Sequence, residues 1–556
     1  MTDCHDYEHR LVKTKLSCGK NLLELTTYDG LILWWFVRLR FYDFARRMLN
    51  DDIGNRLTHN RFVWALYKTV EPLLAQSRTI WIRLAMKFYR KGKDNNWDGR
   101  SKAPRIYFTA QDVEWKVVRD LETERVKKSD AFFDTIISGL RGRCEFIGTY
   151  PIGVSIGSLR VYVDKLRNWD ISHKPFDLYW SLDVWKREKE ASTYFKGLFK
   201  DLMNDGGFRK LCMYGGKKGY AQMEEELEFY FLVIFPRVVE YIEMAKRMIR
   251  KERPSFILLQ NEYGEFERAL VVAGKLKGIP TLAVQHGIIT STHYGYIFGQ
   301  EDKGKVLLPD TTCVYGQYHK DLLTKNSIYG PEQVVVTGEP RYDVLHRVDK
   351  IYSKKDFLEK YRISPDNRIL LWTTQCHGLS DEENIRNLGA VFETVQNIKN
   401  VTLLIKQHPG EGEECTKMIE DCLTNYKIDV VITGKSSDTY EQLFVCDLLI
   451  TRSSTTAMEA VALNKPVIIL NLSGEPDAVD YVEQGVALGV YKEEDLRPSI
   501  DGLLKDDSAL AKNRQRYVEK YLYRIDGKAT ERVTQVIEKM MSTSVLGLNT
   551  SKPKRT

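Results

Sequence analysis

Three short stretches of this chain carry side chains suited to handling a phosphate and a reacting hydroxyl. Gln285–His286–Gly287 follows the apolar run Thr281–Val284 and sets an imidazole where it can take a proton from an acceptor hydroxyl, with Gly287 freeing the turn. A half-buried loop histidine with a purely structural role fits the same residues. Lys406–Gln407–His408–Pro409 follows Thr402–Ile405 and joins a cation to a second imidazole, a pairing that suits phosphate or carboxylate and equally an ordinary surface loop. Ser453–Ser454–Thr455–Thr456 stands between Leu448–Thr451 and a helical pattern opening at Ala457. Hydroxyls and free N–H groups there accept an anion, although Ser and Thr also cap helices with no ligand present. Glu459 lies about one turn further on, within reach of ribose hydroxyls or simply well placed in the helix dipole. Thr374, just past the run Ile369–Thr373, joins this donor-side set. Glu262 and Glu265 follow Phe256–Gln260 as neighbouring carboxylates that could orient His286 or bind acceptor hydroxyls; Glu265 also suits a helix start.

Each of these stretches follows a run of strand length, and the runs alternate with helical patterns. From Pro254 the alternation is strand Phe256–Gln260, helix Glu265–Leu276, terminator Gly278, strand Thr281–Val284, with Thr312–Tyr315 and Gln333–Thr337 as further strands. Arg105–Thr109 and Glu145–Thr149 precede them, flanking a helical Asp130–Leu140, and Val161–Arg250 reads as largely helical. A second series begins with Ile369–Thr373 and continues through Thr402–Lys406, Asp429–Ile432, Leu448–Thr451 and Val467–Asn471. Such alternation predicts parallel sheets with ligands at the carboxyl ends of their strands. The expected fold class is α/β, with two facing doubly wound Rossmann-like domains and a helical N-terminal extension. The expected divisions are a leader over 1–100, an acceptor domain over 101–343 with a helical insertion, a donor domain over 344–540 and a disordered tail over 541–556.

The chain has 556 residues, 43% hydrophobic and 29% charged, which suits several globular domains without low-complexity tracts. A net charge of +7 is too small to imply nucleic acid as a partner. The apolar run Leu31–Val37 is far short of a membrane span, so a cytoplasmic protein is expected. Nine cysteines without a CxxC pair or a His/Cys cluster predict reduced thiols, with neither zinc nor structural disulfides. Leu31–Leu49 and Thr79–Lys91 interleave aromatics with Arg and Lys at helical spacing. Such segments either dock on an anionic membrane at the inner face of the plasma membrane or pack their aromatics on the main body. Lys91–Ala103 reads as a polar linker behind them.

From Pro254 to about Val490 the order of these motifs resembles the GT-B glycosyltransferases. The nearest branch is the one with UDP-N-acetylglucosamine 2-epimerase, CDP-glycerol glycerophosphotransferases and capsule-type sialyl and Kdo transferases. PSFILLQNEYGEFERALVVAGKLKGIPTLAVQHG, VVVTGEPRYD and LLITRSSTTAMEAVALNKPVIIL carry the resemblance. It implies donor-phosphate binding by KQHP and RSST, and His286 as base. Gln285–His286 stands where the epimerase has an acidic residue before the glycine, and Ser453–Ser454 replaces its paired-glycine loop, which disfavours epimerisation.

The reading these residues support is a glycosyltransferase that takes a sugar from a nucleotide-sugar donor to a glycan or lipid-linked acceptor in surface polysaccharide or glycoconjugate synthesis. The catalytic set is His286, Glu262 and Glu265. The donor set is Thr374, Lys406, His408, Ser453, Ser454, Thr455, Thr456 and Glu459. No cofactor and no metal are expected, since no DxD-like pair stands at a strand end. Its competitors are a CDP-polyol phosphotransferase of the same fold and a non-catalytic nucleotide-sugar binding or scaffold protein.

Overall fold

The structure, a computed structural model, describes residues 2–49, 77–88, 103–119, 126–152, 156–213, 216–376, 379–408, 410–435 and 437–550. The expected linker Lys91–Ala103 lies outside the described residues apart from its last one, as do residues 89–91 of the second basic-aromatic segment and 551–556 of the expected tail.

Two parallel sheets organise the chain. The first has seven strands, in the order Val334–Val336, Thr311–Val314, Thr281–Val284, Phe256–Leu259, Arg105–Thr109, Glu145–Thr149, Ser172–His173. All its pairings are parallel. Its central strands FILL, TLAV and TTCV are buried throughout, as expected where helices cover both faces. Helix Glu265–Lys277 shows why such elements hold their limits. Glu265 and Glu267 sit in its first turn, Lys275 and Lys277 in its last, and Gly278 closes it at φ 67°. The direction of winding reverses between Arg105–Thr109 and Phe256–Leu259, so a crevice opens between the loops that follow these two strands.

The second sheet runs Val430–Thr433, Val401–Lys406, Arg368–Thr373, Leu448–Thr451, Val467–Leu470, Leu488–Val490, again wholly parallel. Its reversal lies between Arg368–Thr373 and Leu448–Thr451. The two doubly wound domains are therefore as expected, and the strands at Ser172–His173 and Leu488–Val490 are additions to the sequence reading.

The first basic-aromatic segment packs inward. Helix Trp34–Leu49 buries Trp34, Trp35 and Arg38 in the same core as helices Leu182–Asn204 and Phe235–Glu252. Arg38 pairs with Glu8 at 3.0 Å, and Glu8 also accepts from the Trp34 indole and the Tyr42 hydroxyl. The Arg38 guanidinium donates to the Ile297 carbonyl at 2.5 Å, so its charge is fully partnered. This corrects the membrane-facing reading of Leu31–Leu49. A buried Arg bonded to Glu8 and to a backbone carbonyl is a structural tie, and the sequence pattern could not separate it from a solvated one. Among the described residues no helix is long and apolar enough to cross a membrane.

The chain crosses between the domains twice. The first crossing follows Val334–Val336, turns at Gly338 with φ 81°, and continues through the 3-10 helix Pro340–Arg347. The second follows Ser508–Tyr517 and the π-helical turn Val518–Leu522, and leads into the final helix Ala529–Thr550. Asp343 of the first crossing accepts the backbone N–H groups of Ala529 and Thr530, both at 2.8 Å. Arg532 donates to the Thr337 carbonyl. The final helix then lies on helix Asp134–Gly139 of the first domain. Residues 529–540 thus return to the first domain, and 541–550 are helical where a disordered tail was expected.

Candidate active site in the interdomain cleft

On the first-domain side, strand Thr281–Val284 delivers Gln285, which is fully buried and donates its amide to the Gly287 carbonyl at 2.7 Å while its oxygen accepts from the Tyr315 N–H. Both bonds shape the turn that presents His286. The His286 side chain is 41% exposed, and its Nε2 lies 3.8 Å from Glu114 Oε1, an ion-pair distance too long for a full hydrogen bond. The imidazole also leans on the Phe132 ring, with centroids 5.8 Å apart. Glu114 ends the 3-10 turn Asp112–Glu114 beyond strand Arg105–Thr109 and is nearly fully buried. Gln260 Nε2 and Lys116 Nζ both reach its carboxylate. Burial alone would raise this carboxyl, but His286, Lys116 and Arg341 outweigh it and hold the carboxyl at about 2. Glu114 is therefore anionic whenever His286 can act as a base.

On the second-domain side, the strand reversal brings two loops together. Gln375 bridges them: its oxygen accepts from the Arg452 and Ser453 N–H groups at 3.2 and 2.7 Å, and its amide donates to Ser453 Oγ at 3.2 Å. Ser454 Oγ accepts from the Thr456 N–H at 3.1 Å and bonds the Thr456 hydroxyl, just ahead of the short helix Thr456–Ala462, whose N-cap is Thr455. Thr455 is exposed beside it. Lys406 is buried at the end of Val401–Lys406 and donates to the Lys435 carbonyl; burial lowers its pKa from the ordinary lysine value. His408 is exposed, with Nδ1 accepting from the Gly410 N–H; the Pro409 expected to fix this loop lies outside the described residues. Thr374 is buried and donates to Glu411.

Arg341 lies on the first crossing, in the 3-10 helix Pro340–Arg347. It pairs with Glu339 at 2.9 Å and reaches the Tyr315 hydroxyl at 3.3 Å. Its third contact, with the His286 carbonyl at 3.5 Å, is at the limit of a hydrogen bond. Glu459 faces it from helix Thr456–Ala462: burial pushes this carboxyl up to about 7, opposed by Arg341 and reinforced by Glu339. The strand ends thus carry a carboxylate-backed imidazole on the first sheet, and hydroxyls, cations and a carboxyl raised by burial on the second. Such a set can take a proton from a hydroxyl and stabilise an anionic leaving group.

His286 follows strand Thr281–Val284 of the first sheet, while Lys406, His408, Thr374, Ser453, Ser454, Thr455, Thr456 and Glu459 lie at or just beyond the ends of strands of the second. The structure does not bring the other two carboxylates to His286. Glu262 is buried and accepts from the hydroxyls of Thr312 and Tyr329 at 3.0 and 2.7 Å, with burial raising it to about 7. Glu265 pairs with Arg237 at 2.6 Å and Arg40 at 3.7 Å. The partner of His286 is Glu114, which the sequence reading missed. Its signal is a carboxylate in a loop just past a strand, the placement that singled out Glu262.

Residues 308–538 match the UDP-N-acetylglucosamine 2-epimerase family. The matched segment covers the last strands of the first domain, both crossings and the whole second sheet. Among curated proteins the chain is similar to the processive diacylglycerol beta-glucosyltransferase of Bacillus licheniformis, at 26% identity over 205 residues, 36% of this chain and 51% of that protein. The protein of the same name from Bacillus pumilus is 24% identical over 189 residues, 33% of this chain and 47% of its own length. The chain spans about half the length of the curated relatives it matches. Solved structures of similar arrangement include UDP-GlcNAc 2-epimerase from Neisseria meningitidis bound to UDP-GlcNAc, at 14% identity, 78% of this chain, 99% of that one and TM-score 0.48. A glycosyltransferase from Rickettsia africae aligns at 14% identity, 79% of this chain, all of its own and TM-score 0.43. The chain resembles this GT-B group of epimerases and glycosyltransferases.

Proposed function

We propose that this chain is a glycosyltransferase rather than an epimerase, passing a sugar from a nucleotide-activated donor to a glycan or lipid-linked acceptor. The observation that carries the reading is the His286–Glu114 pair at the strand-end crevice of the first domain, together with the hydroxyl and cation set at the strand ends of the second. His286 removes the proton of the acceptor hydroxyl, and Glu114 stabilises the imidazolium that forms. The acceptor oxygen bonds to the anomeric carbon as the bond from that carbon to the donor phosphate breaks. Lys406, Arg341 and the Ser453–Thr456 hydroxyls receive the phosphate charge, with Glu459 near the ribose. These donors and cations supply the stabilisation a metal would give, so the reaction is metal-independent.

The acceptor is lipid-linked and approached from an anionic membrane surface. The curated relatives are named for diacylglycerol, and the helix over 77–88 turns Ile80, Trp81, Leu84 and Phe88 outward beside the exposed Arg83 and Lys87. Surface polysaccharide or glycoconjugate synthesis is the setting that fits such an acceptor.

The deciding experiment is a thermal-shift panel of UDP-, GDP-, CMP- and CDP-linked donors on wild type, His286→Ala and Ser453→Ala, followed by turnover with the donor that binds. Binding without turnover in His286→Ala, and weakened binding in Ser453→Ala, is the expected result. Interconversion of UDP-N-acetylglucosamine and its 2-epimer without an acceptor would show that the chain is an epimerase.

A further inference from the structure

Nine cysteines scattered along the sequence showed no metal-binding spacing, yet the fold brings two of them together with a carboxylate. Cys376 lies in the loop beyond strand Arg368–Thr373, Glu411 lies in the loop beyond Val401–Lys406, and Cys415 lies in the first turns of helix Glu413–Leu423. Their ligand atoms all lie within 4.8 Å of one another. Cys376 and Glu411 are buried, while Cys415 is half-buried and gives access from solvent.

We propose that Cys376, Cys415 and Glu411 form a binding site for one thiophilic divalent cation, zinc or cadmium, at the edge of the donor crevice. Two sulfurs and one carboxylate oxygen select a soft cation over magnesium, calcium or manganese, and leave the fourth tetrahedral position to water. Zinc bonds of roughly 2.0–2.3 Å put ligand atoms about 3.5–3.8 Å apart, so closure from separations within 4.8 Å asks for a contraction of at most about 1.3 Å. The surroundings are those of an oriented ligand set. Glu411 is fixed by the Thr374 hydroxyl on one oxygen and the Cys376 N–H on the other, both at 2.8 Å. Binding exchanges the two S–H protons to solvent for two metal–sulfur bonds, leaving the metal, two thiolates and carboxylate with one net negative charge. Lys435 is placed to offset it, since its ammonium donates to the Glu411 and Gly412 carbonyls at 2.5 and 3.2 Å.

The ion takes no part in sugar transfer. It ties the loop carrying Gln375, the bridge to Ser453, to helix Glu413–Leu423, and so stiffens one wall of the donor crevice. The inference stands on these residues alone and not on the proposed reaction.

The test uses the full chain with Cys18, the exposed thiol, replaced by serine. Cadmium is titrated while the ultraviolet thiolate-to-cadmium band is followed, and melting is recorded with zinc. One equivalent of cadmium should raise the band, zinc should raise the melting temperature, and a large excess of magnesium should do neither. Cys376→Ser/Cys415→Ser should lower cadmium affinity at least tenfold, whereas Cys422→Ser, on the same helix, should not. If the double variant fails to fold, Cys415→Ala at its half-buried position carries the comparison. Unchanged cadmium binding in the variants, or no band at one equivalent in the parent, overturns the site.

Discussion

His319 gives the sharpest quantitative test of how the two domains are joined. It lies on helix Gln317–Asn326 of the first domain, fully buried against the rings of Tyr315, Tyr318 and Tyr521, the last of these on the second crossing. Neither ring nitrogen has a hydrogen-bond partner among the described residues. Burial therefore pushes its pKa from 6.5 down to about 3. In the unfolded chain the imidazole protonates below about 6.5. Between the two values the unfolded state binds a proton that the native state refuses, so stability falls as pH falls. At pH 5 the difference of 1.5 units from the unfolded value is worth about 2 kcal/mol against the fold, at about 1.4 kcal/mol per unit. His319→Phe keeps the ring packing, loses no hydrogen bond and removes the titration. Its stability at pH 7 should stay within about 1 kcal/mol of wild type, while at pH 5 it should exceed wild type by about 2 kcal/mol more than at pH 7. Urea unfolding at the two pH values measures this directly, and buried carboxyls elsewhere cancel in the comparison. Parallel pH dependences for wild type and variant would refute the buried neutral imidazole.

Three further outcomes are expected. Glu114→Gln should lower turnover about tenfold with donor binding unchanged, since an ion pair with one half-exposed member contributes on the order of 1 kcal/mol; a matched loss of donor affinity in calorimetry would place Glu114 elsewhere in the mechanism. Turnover should persist in EDTA, and a full loss restored by manganese would show that the cations named here do not carry the leaving phosphate. Vesicles with anionic lipid should float the protein at low salt and release it at high salt, with Trp81→Ser/Phe88→Ser abolishing flotation; flotation indifferent to salt or to these side chains would remove the helix over 77–88 from the membrane reading.

The strands were legible because each is a short apolar run ended by a polar turn, and all five second-sheet strands read from sequence lie within one residue of their expected limits at both ends. Ser172–His173 was not, since two residues carry no periodicity, nor was Leu488–Val490, whose glycine weakens the strand signal. The loops carrying Ser453 and His286 were found because they follow recognisable strands. Glu114 and the Cys376–Glu411–Cys415 group were not found, because their partners come together only through sheet order. Arg38 was misjudged for a different reason: a charged residue on a helix reads as solvent-facing unless its partner is known, and Glu8 lies thirty positions away in sequence.

The paired crossings between the domains have a mechanical meaning. Two strands of chain pass the same gap, and Asp343 fastens one to the other through the N–H groups of Ala529 and Thr530. Any motion that pulls the two crossings apart has to break the Asp343 bonds.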